Sequence, residues 1–225
     1  MDNQERFSLL KQTFINARNI ENAGPMERYM KKHFPFLGLK SVERRELSKP
    51  FIREFQFDSE DAETIIKELW CLPEREFQYA AVDMLVRNKK KLEVEHLDLL
   101  QFLIEKKSWW DTVDTIATHL VGALFSKYPH LIKERGERWL QSDNIWLKRT
   151  MILFQLKYKE QTDVDLLFSI IKQTSHLKEF FIQKAIGWSL REYSKTNAEA
   201  VSTFINENEL SNLAKREGLK YIQKR

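Results

Sequence analysis

The chain has 225 residues, 42% of them hydrophobic and 31% charged, with only six Gly and five Pro. That length supports one substantial core, and the scarcity of turn formers, together with the lack of period-two apolar runs, argues against a sheet. The single Cys71 excludes an internal disulfide, and 37 Lys and Arg against 33 Asp and Glu is too small an excess to define a polyanion binder unless the cations share a face.

In chain order, apolar periodicity predicts helices over 5–21, 25–33, 41–56, 59–70, 74–89, 93–106, 109–127, 129–141, 144–158, 163–173, 177–194, 197–207 and 209–223. Pro25 and Pro73 suit first-turn positions, and Asp58, Asp143, Thr162 and Asn197 suit N-caps. Gly24-Pro25 and the segment Phe34-Pro35-Phe36-Leu37-Gly38 read as interhelical turns. No linker interrupts the chain, so residues 1–225 are expected to form a single domain. The polar start, Asp2 to Arg6, has no apolar signal region, and no apolar stretch reaches the ~18 residues of a membrane span. The expectation is a reduced, cytoplasmic setting with no membrane partner.

Stretches 74–91, 108–127, 142–159 and 177–195 each open on a polar or proline break, run through aromatic and aliphatic residues and end near a Lys. Asp114, Arg149 and Lys184 recur at a constant 35-residue interval, and the aromatics Phe77, Trp146 and Phe181 nearly keep it. A period of this size signals stacked helix pairs, in which equivalent positions line one continuous surface. The expected fold is all-α, a helical-repeat (HEAT-like) solenoid: a curved stack of antiparallel helix pairs with a concave groove. Asp114, Arg149 and Lys184 should be neighbours along that groove.

Within 109–127, Val113, Ile116, Ala117, Leu120 and Leu124 form a core stripe, while Trp110, Asp114 and Thr118 belong to another face. Asp114 could simply favour a helix N-terminus, but Asp111 is better placed for that task. In 144–158, Leu147, Met151, Phe154 and Tyr158 have core spacing, which leaves Arg149 directed elsewhere. In 177–194, Ile182, Ile186, Leu190 and Tyr193 make the core stripe, and Phe180, Lys184, Trp188 and Arg191 repeat that spacing about 200° away. One alternative is that Trp188 packs on a neighbouring repeat while the cations fan into water. The other is functional: an indole and a carboxylate one turn apart, facing a second indole beside cations, make a site for a cationic ring.

At these residues the chain resembles the HEAT-like-repeat DNA alkylation-repair glycosylases of the AlkD type. The likeness runs over nearly the whole chain and is strongest in Lys107-Ser108-Trp109-Trp110-Asp111-Thr112-Val113-Asp114, Ser142-Asp143-Asn144-Ile145-Trp146-Leu147-Lys148-Arg149, Phe154-Gln155-Leu156-Lys157-Tyr158-Lys159 and Lys178-Glu179-Phe180-Phe181-Ile182-Gln183-Lys184-Ala185-Ile186-Gly187-Trp188. Arg28-Tyr29-Met30, Glu43-Arg44-Arg45 and Leu72-Pro73-Glu74-Arg75-Glu76-Phe77-Gln78 also look like the family pattern. The resemblance implies excision of N3- and N7-alkylated purines, of the 3-methyladenine and 7-methylguanine type, from duplex DNA, with Asp114, Trp110 and Trp188 at the catalytic positions. It also suggests a shallow cleft that leaves the lesion largely stacked.

Binding is then expected to come from phosphate contacts by Arg149, Lys157, Lys184 and Arg191, with Tyr29, Phe180 and Phe181 as aromatic or hydroxyl contacts near the lesion. The five histidines are dispersed and no Gly-rich phosphate loop occurs, so neither metal nor cofactor is expected, and the chain is expected to work as a monomer. Two other readings stay open. One is a noncatalytic helical-repeat scaffold for a protein partner, and the other a relative that binds DNA structures without cleaving a glycosidic bond.

Overall fold

The structure is a computed structural model that describes residues 2–224, and no strand occurs among them. The chain is an all-α, helical-repeat fold that divides into two compact units, Met1–Lys91 and Leu92–Arg225.

The first unit contains α1 (Asn3–Asn16), α2 (Ile20–Tyr29), α3 (Ser41–Glu54), α4 (Ala62–Cys71) and α5 (Arg75–Arg87). Its core is apolar and tight: Leu10, Phe14, Leu69, Trp70 and Leu85 are fully buried, and the Phe14 and Phe77 rings lie 5.6 Å apart. The helix expected over 5–21 breaks at Ala17, and Gly24-Pro25 lies inside α2 rather than in a turn. The cause is Asn19, whose side chain accepts the Asn22 N–H at 3.1 Å and starts the helix before the proline. Pro25 costs α2 one intrahelical bond, which the cap partly offsets.

The segment after α2 is organised by a buried acid. Glu76, in the first turn of α5, is fully buried and accepts N–H bonds from Leu37, Gly38 and Leu39 at 3.0, 2.9 and 3.1 Å. Gly38 has φ +90°, and a Cβ there would fall 2.0 Å from the Asn19 carbonyl, so only glycine fits this crossing. Burial pushes the Glu76 carboxyl upward, while the backbone donors pull it down. Glu76→Ala leaves three N–H groups without their acceptor, and each buried unsatisfied donor costs about 1–3 kcal/mol. A urea melt should therefore show a loss of about 3 kcal/mol or more; an unchanged midpoint would remove this role.

The second unit contains α6 (His96–Glu105), α7 (Trp110–Thr115), which runs through a π-helical turn (Ile116–Val121) into α8 (Gly122–Lys127), and a further π-helical turn (Ile132–Gly136) leading into α9 (Glu137–Gln141). It continues with α10 (Ile145–Leu153), α11 (Val164–Thr174), α12 (Phe180–Tyr193), α13 (Ala198–Glu207) and α14 (Asn212–Leu219). The core stripes read from the sequence are buried at Val113, Ile116, Ala117, Leu120 and Leu124, at Leu147, Met151 and Phe154, and at Ile182, Ile186 and Leu190, while Tyr158 and Tyr193 at the ends of two of them are half-buried. Apart from Ala117, each such buried side chain contributes roughly 1.5–3 kcal/mol by leaving water.

Several ends differ from the periodicity. The helix expected to reach 158 stops at Leu153. Beyond it, the Gln155 side chain bonds both the N–H and the carbonyl of Asp163, and Lys159 takes φ 53°, so the chain turns back instead of continuing. Asn144 and Asp163 cap α10 and α11 in place of the expected Asp143 and Thr162, each one residue away, and Asn197 caps α13 as expected. Asp58 pairs with Lys91 instead of capping α4.

Candidate active site

The second unit carries a cavity of about 370 Å³ whose wall includes Trp110 and Asp114 from α7, Arg149 from α10, Phe180, Lys184, Trp188 and Arg191 from α12, and Glu217 from α14. The helical spacing explains the first pair. Trp110 opens α7 and Asp114 follows one turn later, so indole and carboxylate project together. The helix then widens into its π-helical turn, and the Thr118 hydroxyl donates to the Asp114 carbonyl at 2.7 Å. Such turns often mark functional positions in helices.

Asp114 is held by a fork. Arg149 Nε donates to Oδ1 at 2.7 Å and Nη2 to Oδ2 at 2.8 Å, a bidentate geometry that fixes the carboxylate plane. Nη1 donates to the carbonyl of Phe181. The Arg149 side chain is 5% exposed and that of Asp114 13%. At Arg149, where a phosphate contact is expected from the sequence, all three guanidinium nitrogens donate within the protein. The 35-residue register did place Arg149 beside Asp114, but as the residue that positions it. Burial pushes the Asp114 carboxyl above its ordinary range, opposed by the hydrogen bonds and charge of Arg149.

An aromatic layer supports the fork. The Trp109 ring lies 4.9 Å from Phe181 and 5.7 Å from Trp146, and Trp146 lies 5.1 Å from Phe181. The Phe181 ring is also 5.9 Å from the Arg149 guanidinium. Trp146 and Phe181, noticed first as repeat markers, thus belong to the wall that keeps Arg149 in place. Trp109 gives no separate sequence signal, since its neighbour Trp110 is the one that reaches the cavity.

The second face of α12 is where the periodicity put it: Phe180, Lys184, Trp188 and Arg191 all line the cavity. Phe180 is 59% exposed, and Trp188 is half-buried. Lys184 and Arg191 are about one third exposed and both reach Glu217, at 3.1 and 3.2 Å. Glu217 itself carries no motif in the sequence. It enters the wall because Gly187, beside Trp188, lets α14 approach so closely that a Cβ on residue 187 would sit 2.4 Å from the Glu217 Cβ.

The remaining two expected contacts are exposed. Lys157 is exposed in the loop after α10 and does not line the cavity. Tyr29 ends α2 in the first unit and is 68% exposed. Among the described residues no group of three or more His, Cys, Asp or Glu side chains could hold a metal ion, and no helix is long and apolar enough to cross a membrane.

A carboxylate locked by a guanidinium, on the wall of a cavity edged by two indoles and two cations, can stabilise positive charge on a bound molecule while anionic groups meet the rim. The family model that matches residues 10–222 is described as DNA alkylation repair enzyme. Among solved structures, a predicted DNA alkylation repair enzyme from Enterococcus faecalis is similar, with a TM-score of 0.85, 36% identity, and coverage of 92% of this chain and 98% of that one. A search of curated proteins gave no match.

Proposed function

The chain belongs to the DNA alkylation repair enzyme family, and from that premise we propose that it is a DNA N-glycosylase that excises cationic N3- and N7-alkylated purines from duplex DNA. The observation that carries the reading is the pair Asp114 and Arg149 at the edge of a cavity shared with Trp110 and Trp188.

Alkylation at a purine ring nitrogen gives the base a positive charge, so it departs neutral with the electron pair of the glycosidic bond and needs no protonation by an enzyme acid. The remaining difficulty is the charge that moves onto the deoxyribose, as in the oxocarbenium-like transition state of glycoside hydrolysis. Asp114 opposes that charge more strongly in the transition state than in the ground state. It also orients a water, whose oxygen bonds to the anomeric carbon as its proton passes to the carboxylate or to solvent. Arg149 keeps the carboxylate aimed. Trp110 and Trp188 flank the nucleotide and exclude bulk water, and an indole face favours a cation by roughly 0.5–2 kcal/mol over a neutral base.

Lys184, Arg191 and Lys157 meet backbone phosphates, and Phe180, Phe181 and Tyr29 border the lesion. An open cavity of this size suits a lesion that is not fully extruded, with bulky adducts tolerated. The chain acts as a monomer without a cofactor. Incubation with duplex DNA carrying 7-methylguanine should release the free methylated base while the undamaged duplex stays intact. Binding without release would favour a DNA-structure binder, and neither binding nor release would favour a protein scaffold.

A further inference from the structure

The cavity's cations are not free agents. Glu217 is 4% exposed, yet its Oε1 accepts Lys184 Nζ at 3.1 Å and Lys220 Nζ at 2.7 Å, while Oε2 accepts Arg191 Nη1 at 3.2 Å. The three cationic side chains remain 36, 32 and 45% exposed for Lys184, Arg191 and Lys220. One buried acid therefore gathers three partly exposed cations, two from α12 and one just past the end of α14, and the group keeps an excess of two positive charges. We propose that Glu217 is a positioning residue that presets Lys184, Arg191 and Lys220 as a clamp for one phosphodiester group beside the Asp114 cavity. This rests on the reading that duplex DNA is the ligand.

Three independent features fit a preset clamp better than incidental pairing. The missing Cβ of Gly187 seats Glu217 against α12 next to Trp188, so the acid is fixed to the helix that bears two of the cations and one indole. The start of α14 is tied to the same helix: the Ser211 hydroxyl caps Ala214 and donates to Gln183 Oε1 at 2.5 Å. Glu217 stays ionised, because Lys220 first and Lys184 next hold its carboxyl down to about 2. Long lysine and arginine side chains ordinarily lose rotamer freedom when they grip a phosphate; here that ordering is already made.

A mere staple between α12 and α14 makes a different forecast, and Glu217→Gln separates the two. Gln keeps the volume but leaves three mutually repelling cations with no acid between them. For a positioning residue, binding to an undamaged duplex should hold or tighten up to about threefold, with a salt slope steeper by up to about one, because an anion has left the rim. Single-turnover release from a 7-methylguanine duplex at saturating protein should fall about tenfold, because the phosphate is no longer held in register with Asp114. Glu217→Asp, which keeps the charge with a shorter reach, should recover part of the rate, and it also serves as the test if the Gln variant does not fold.

Parallel losses of melting temperature, binding and release would make Glu217 a staple only and overturn the proposal. So would wild-type values of salt slope and release rate. If the wild type binds DNA but releases no base, the binding arm still tests the clamp although the glycosylase reading has failed: a steeper slope in the Gln variant puts the three cations at a phosphate, and an unchanged slope overturns the proposal.

Discussion

Asp114→Asn is expected to lower base release from 7-methylguanine duplex by about 100- to 1000-fold, the cost of removing one preorganised group that opposes transition-state charge, roughly 3–4 kcal/mol. Binding to undamaged duplex should stay within about twofold of wild type, because Asp114 is 13% exposed and repels rather than holds phosphate. The Asn amide keeps one acceptor for the Arg149 fork and loses the other with its charge, which leaves the buried guanidinium uncompensated, so a stability loss of about 3–5 kcal/mol accompanies the change. The pH profile separates the catalytic effect from that loss. Release needs the carboxylate ionised, and burial raises its pKa from the ordinary 3.8. The wild-type rate should thus decline on acidification while the pH is still above the ordinary Asp range, and the Asn variant should lack that limb. Normal release by a folded Asn variant would end the assignment.

Much of this site is legible in the chain because helices display their chemistry by angle. Phe180, Lys184, Trp188 and Arg191 stand opposite Ile182, Ile186 and Leu190, and that division survives folding: one set lines the cavity and the other is buried. Trp110 and Asp114 are legible for the same reason. The direction of Arg149 is not written in its register. Register tells which residues become neighbours, but the direction of a guanidinium depends on what accepts its hydrogen bonds, here a carboxylate 35 positions away and the Phe181 carbonyl. Glu217 is less visible still, since α14 has no motif and its approach depends on the bare face of Gly187. Pro25 misled for a local reason: the Asn19 cap outweighs the proline's lost bond, so the usual punctuation lies inside a helix.

The fork itself gives the other large effect. Arg149→Met removes the bidentate partner of a carboxylate that sits in a mostly buried place, and an ion pair broken on one side typically costs about 3–5 kcal/mol because a charge is left uncompensated. Were Arg149 a phosphate contact, the same change would leave the urea midpoint alone and flatten the salt dependence of DNA binding by about one unit of slope. The expected result is the reverse: a large loss of stability, a salt slope close to wild type, and release reduced at least tenfold at neutral pH. Without the guanidinium, burial acts on Asp114 unopposed and raises its folded pKa further. A carboxyl whose folded pKa exceeds its unfolded value favours folding while protonated and loses that contribution as pH rises through the folded value. The Met variant should therefore be least stable at neutral pH and regain stability on acidification. Adding Asp114→Asn to it should restore part of the lost stability at neutral pH, since the orphaned charge is gone. A double variant destabilised by the full sum of the two single losses would show that the two side chains do not act as one unit.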